Sequence, residues 1–183
     1  MNEKNEVRWR NPVRTRAAIL AAAVEVFGRQ GYSQAGLRDI AALAGRSSSL
    51  ILRYFDGKAD LFEAALVETL RTNSVFTWRK DDFGETMARL IRDRSNVNIT
   101  VMLMQALSAP ESRAIATRVW QEHMIAPLAD WLGPPDAEAR ANSLFALMSG
   151  LTFQIHGLAD GEPPEAQIQW AAKAMQSLVK GDV

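Results

Sequence analysis

The chain has 183 residues, 48% of them aliphatic, aromatic or Met and 23% charged. That is one domain or two small ones with enough apolar material for a packed core, and it excludes a disordered chain. Cysteine is absent, which excludes a disulfide framework, thiolate metal ligation and a cysteine nucleophile, and fits a reducing cytoplasm. Net charge is zero but uneven: residues 1–60 carry ten basic and six acidic side chains, residues 61–183 eleven and fifteen, so a +4 front precedes a −4 back and only the front invites a polyanion.

Residues 1–13 form a basic arm with Lys4, Arg8, Trp9 and Arg10. It reads as a flexible, solvated tail; the other reading is an arm that reaches an adjacent minor groove. Ala17–Val24 mimics the apolar core of a signal peptide. Glu3 and Glu6 in its leader, Glu25 at its end and the lack of a small-residue cleavage site argue against that. No segment is long and apolar enough to span a bilayer, so the expectation is a cytoplasmic protein with no membrane partner.

Apolar residues then recur at helical spacing, with no long alternation of the strand kind. Arg14–Gln30 places Leu20, Ala23, Val24 and Phe27 on one face, and Gly31 is placed to end it. Leu37, Ile40, Ala41 and Ala44 follow at i, i+3, i+4 and i+7, closed by Gly45. Ser47 caps a short helix to about Tyr54, and Gly57 precedes a helix with the stripe Leu61, Phe62, Ala65, Leu66 and Leu70. Thr72–Asp82 reads as a loop. Helical patterns resume over Phe83–Arg94, Ile99–Leu107, Glu111–Leu132, Ala137–Leu158 and Pro164–Val179, separated by stretches rich in Gly, Pro, Ser, Asn or Asp. The expectation is an all-α chain of about nine helices, with 14–57 as one unit and 58–183 as another.

Leu37–Tyr54 has the form of a helix-turn-helix: two short helices about a tight glycine turn. Ala41 is small where the second helix crosses, Gly45 turns the backbone, and Ile51 and Phe55 seal the pair. The second helix of such a unit enters the major groove. Serine hydroxyls at Ser47, Ser48 and Ser49 can meet phosphates or bases, and Arg53, Tyr54 and Lys58 suit phosphates. Lys58 also opens a helix, where free N–H groups favour an anion. Leu50 and Leu52 either pack on thymine methyl groups or belong to the core. With Arg38 and Arg46, these ten residues are the candidate contacts to a double-stranded DNA operator.

Thr15–Leu66 resembles the N-terminal domain of the TetR family of bacterial transcriptional repressors. The resemblance rests on Arg16-Ala17-Ala18-Ile19-Leu20-Ala21-Ala22-Ala23, Phe27, Gly31-Tyr32, Leu37-Arg38-Asp39-Ile40-Ala41, Ala44-Gly45, Ser47 and Arg53-Tyr54-Phe55-Asp56-Gly57-Lys58-Ala59-Asp60-Leu61-Phe62. Gly36 stands where Thr or Ser usually caps, Arg46 where Val is usual, Ser49 where Gly is frequent and Leu52 where Tyr is frequent. Those departures prevent transfer of an operator sequence.

The resemblance implies a small-molecule effector in the C-terminal bundle. Trp78, Met102, Trp120, Met124, Phe145 and Met148 are the candidate pocket residues, since Met and Trp suit an adaptable apolar site; taken one at a time, such a residue on a helix stripe is more often core. Ala141, Leu144, Met148, Leu151 and Ile155, with Ile168, Ala172, Met175 and Val179, recur at three-four spacing on the last two helices and read as a homodimer face. His123 and His156 are the two histidines; either could orient a ligand. No cofactor is expected, because no His/Asp/Glu cluster has ligand spacing. The expected function is ligand-released repression at an inverted repeat. The alternative is a regulator whose bundle binds a protein or only dimerises. An enzyme is not expected, since no catalytic motif is present.

Overall fold

The computed structural model describes residues 12–72, 79–93, 97–159 and 161–182, and among them every regular element is helical. Residues 1–11 of the arm and Trp78 lie outside the described residues, while Pro12 and Val13 begin the first helix. The helices are α1 (Pro12–Gln34), α2 (Leu37–Leu43), α3 (Ser48–Ile51), α4 (Lys58–Thr72), α5 (Phe83–Arg92), α6 (Val97–Ala106), α7 (Pro110–Trp120), α8 (Ala126–Leu132), α9 (Ala137–Phe153) and α10 (Glu165–Lys180). A π-turn over Gln121–Ile125 joins α7 to α8 and another, Gln154–Leu158, extends α9, so the two long helices expected from the pattern are continuous rods. The first widening has a local cause: Pro127 has no N–H for the His123 carbonyl, and one extra residue in the turn accommodates its ring.

Gly31 breaks α1 at φ 72°, ψ 170°, where the sequence places a stop. Gly36 caps α2 without a side chain, and Asp39 compensates by accepting the Gly36 N–H at 3.2 Å. Ser47 Oγ accepts the Leu50 N–H at 3.2 Å and starts α3. This helix is shorter than its pattern. Beyond Ile51 the chain winds tighter, with Arg53 N–H on Leu50 O at 3.2 Å and Tyr54 N–H on Ile51 O at 2.9 Å.

Two cores result. The first joins Ile19, Phe27, Ile40, Ile51, Phe55, Phe62 and Leu66 to Met102, Ala106, Ile115 and Val119 of α6 and α7. Phe27 and Tyr32 both lean on Phe62 at 5.0 Å between ring centroids. The second is built from α5, α8, α9 and α10, and Met124 touches both. Gly84 sets the α5–α10 crossing: a Cβ there would stand 2.1 Å from the Ala172 carbonyl oxygen. Its N–H instead donates to Gln176 Oε1 at 2.9 Å.

The second core takes up most of the expected dimer face. Ala141, Leu144, Leu151, Ile155, Ile168, Met175 and Val179 are buried within the single chain, while Met148 and Ala172 are half-buried against the same core. A three-four stripe marks the buried face of a helix but not whether its neighbour is another helix of the same chain. Arg140, also buried, ends this core. Its guanidinium donates to Pro135 O at 2.8 Å and to Leu178 O and Val179 O at 3.2 Å, and also to Gly133 O. One cation thus satisfies the carbonyl ends of α8 and α10, where the helix dipoles favour positive charge.

Candidate nucleic-acid interface and bundle cleft

The helix-turn-helix has the geometry its spacing demands. Ala41 is buried under the crossing, Gly45 turns at φ 62°, and Ile51 and Phe55 are buried. The outer surface carries the candidate contacts: Arg38, Arg46, Ser47, Ser49, Leu52 and Arg53 are exposed, and Ser48, Leu50, Tyr54 and Lys58 half-buried. Leu52 is 54% exposed, which removes it from the core; Leu50 lies between. Leu43 at 47% exposure joins this surface. The sequence signal for it was its absence from the α2 stripe.

The ion pairs of the described residues all lie away from Arg38, Arg46 and Arg53. Arg46 donates only to the neighbouring Gly45 carbonyl, at 2.9 Å. Cations that no carboxylate neutralises keep their full field for a polyanion. Arg16 behind them lies 5.0 Å from the Phe55 ring centroid.

Lys58 differs from the arginines. Its ammonium lies 4.6 Å from the Tyr32 ring centroid and 3.5 Å from Ser33 O, at the junction of head and bundle. There Tyr32 donates its phenol proton to Glu111 Oε2 at 2.5 Å. Burial first, then this carboxylate, push the phenol up to about 12. Ser33 and Ser108 hydroxyls meet at 3.4 Å, and Glu63 of α4 pairs with Arg118 of α7 at 2.6 Å. Sequence reasoning missed this junction, whose partners are far apart along the chain.

The bundle holds a cleft of about 240 Å³ between α6, α7 and α9. Trp120 and Phe145, both expected there, form its aromatic wall in an edge-to-face pair with centroids 5.8 Å apart. Leu103, Met104 and Leu107 supply the aliphatic wall, and Thr100, Thr117 and Ser149 three hydroxyls. The other candidates lie elsewhere. Met102 is fully buried in the first core, its sulfur accepting the Thr69 hydroxyl at 3.8 Å; Met124 bridges the cores and Met148 lines the second. His123 is exposed, and His156 Nε2 hydrogen-bonds Ile91 O. Among the described residues no three potential ligands gather for a metal, and no helix is long and apolar enough to cross a membrane.

Comparison with known proteins covers both halves. A family model for bacterial regulatory proteins of the tetR family matches residues 19–65, and one for a tetracyclin repressor-like C-terminal domain matches residues 81–179. The HTH-type transcriptional regulatory protein RaaS of Mycobacterium tuberculosis is 27% identical over 156 residues, 76% of this chain and 72% of its own. A TetR-family regulator from Rhodococcus sp. superposes with a TM-score of 0.72 at 19% identity, over 92% of this chain and 98% of that one. The multidrug binding protein EbrR, solved with ethidium, gives 0.66 at 22% identity over 90% and 98%.

Proposed function

We propose that this chain, which belongs to the TetR family of bacterial transcriptional regulators, is a homodimeric repressor that reads an inverted repeat and releases it when a small molecule enters the bundle. The observation that carries this reading is the outer face of the helix-turn-helix, where Arg38, Arg46 and Arg53 have no carboxylate partner among the described residues and flank the exposed Ser47, Ser49 and Leu52. The arginines hold phosphates and set register; the serines and leucines meet base edges. Lys58 reaches a phosphate from the start of α4, above Tyr32. Residues 14–57 act as the DNA-reading unit and 58–183 as the sensing and dimerising unit, although the two share the first core.

Two half-sites require two heads, and the proposed dimer face is the one the chain leaves uncovered. Ala139, Ser143, Ala146, Gly150 and Phe153 are exposed at three-four spacing along α9, and Leu158 (70%), just beyond α9, and Trp170 (59%), on α10, are exposed as well. Glycine inside a helix costs about 1 kcal/mol relative to alanine. At Gly150 a Cβ would meet nothing within 4 Å in this chain, so the helix gains nothing from glycine as a monomer. Small residues let a second helix approach closely, and the three large apolar side chains supply the area such an approach buries.

The cleft supports an effector site; EbrR, which has this fold, binds the larger organic cation ethidium. An effector releases DNA only if it binds the released arrangement better. The test is selection of genomic fragments by the purified full chain, followed by sequencing. A shared inverted repeat is the expected result. Binding that is sensitive to salt but indifferent to sequence would overturn the reading.

A further inference from the structure

We propose that the cleft between α6, α7 and α9 takes an uncharged, flat, mainly apolar molecule of bicyclic size, and rejects organic ions of the same shape. The inference rests on the reading of the bundle as the effector site and adds the chemical class of the effector.

None of the nine residues lining the cleft is ionisable. Its polar side-chain groups are the hydroxyls of Thr100, Thr117 and Ser149 and the indole N–H of Trp120, which has no partner among the described residues; they serve a neutral polar group but neutralise no charge. An ion placed there would lose its hydration with no counter-charge to replace it. The aromatic pair does not compensate a cation. Trp120 and Phe145 meet edge to face at 60°, so they form a corner with fewer free ring faces than a cage of several aromatics turns on a cation. A ring face of that corner suits a flat apolar ring system, and Leu103, Met104 and Leu107 complete the lining. At interior packing density, 240 Å³ admits a van der Waals volume of about 180 Å³, roughly fourteen non-hydrogen atoms, which is a bicycle with a substituent.

The experiment titrates the full chain with three probes of one shape: quinoline, N-methylquinolinium and 2-naphthoate at neutral pH, by calorimetry and by release of the selected DNA. Quinoline is expected to bind at least about tenfold more tightly than either ion. Ser149→Asp, on the half-exposed wall, is expected to reverse the order of quinoline and N-methylquinolinium, with circular dichroism confirming an intact fold. An ion that binds the unaltered chain as tightly as quinoline overturns the proposed class and leaves the effector site standing. Failure of all three probes to bind or to release DNA at millimolar concentration overturns the cleft as the effector site, and the proposed class with it.

Discussion

Replacing Trp170 with glutamate tests the proposed dimer face without touching the core. The indole is 59% exposed in the single chain. A tryptophan presents about 250 Å² when fully accessible, so about 150 Å² remains to be covered by a partner. At about 25 cal/mol per Å², complete coverage is worth about 4 kcal/mol per protomer. A two-fold axis counts the residue twice, so coverage of only half that area still gives about 4 kcal/mol for the dimer, on the order of a thousandfold in its dissociation constant. The carboxylate adds a desolvation penalty in the same direction. Sedimentation equilibrium of the full chain over micromolar concentrations should show Trp170→Glu as a monomer at concentrations where the unaltered chain is a dimer. Helix content and unfolding midpoint of the monomer should stay the same. Leu144→Ala is the contrast: Leu144 is fully buried, so its truncation lowers folding stability by about 2–5 kcal/mol. A dimer constant unmoved by Trp170→Glu would refute the argument from uncovered area.

Arg53→Ala and Arg38→Ala should weaken binding to all DNA sequences alike, and each should flatten the slope of log affinity against log salt by about 0.9; an unchanged slope would remove them from the phosphates. Tyr32→Phe removes a phenol whose folded pKa is raised from 10 to about 12. The folded chain holds that proton more tightly than the unfolded chain, so the contribution is complete below pH 10 and disappears as pH rises from 10 to about 12. The chain has two tyrosines, so the difference in absorbance titration between the unaltered chain and the variant isolates Tyr32; that difference step is expected near 12, and a difference step at 10 would break the link to Glu111. Arg140→Met leaves the carbonyls at the ends of α8 and α10 without their donor, and urea unfolding should record a loss of about 2–4 kcal/mol. A loss below about 0.5 kcal/mol would mean that water replaces the guanidinium.

The parts of this fold legible in the sequence are those fixed by neighbours along the chain. Gly31 and Gly45 turn where a positive φ is needed, Ser47 caps α3, and Ile51 and Phe55 are sealed under the head, because caps, turns and stripes are short-range physics. What the sequence left open was decided at long range. The stripes of α9 and α10 announced burial and turned out to face α5 and α8. Met102 and Phe145 look alike as apolar residues on amphipathic helices, yet one is sealed in the first core and the other lines the cleft. Arg140 was hidden in the same way, since a charge within an apolar stripe has no local sign of the four carbonyls it satisfies.

How an occupant of the cleft reaches the DNA turns on the corner between α6 and α7. Leu107, Ala116 and Thr117 form cleft wall there, while Ser108 and Glu111 face the head. The corner is stiff: Ser112 Oγ donates to Ala106 O at 2.7 Å, and Arg113 donates to Leu107 O at 2.8 Å. In the proposed repressor, pressure on the wall would therefore move the corner as a body. Glu111 would carry that movement to Tyr32 at the end of α1, within the head, and Arg118 to Glu63 on α4, the helix that leads out of the head, so the corner grips the head at one point and its connecting helix at another. Two anchors transmit a rotation where one would act as a swivel, and rotation is what changes the spacing of two heads across a two-fold axis. Lys58 sits on the Tyr32 ring at one of these points while opening the helix proposed to meet phosphate. In the proposed repressor, DNA and effector would compete for the placement of one junction, the reciprocal linkage that such release requires.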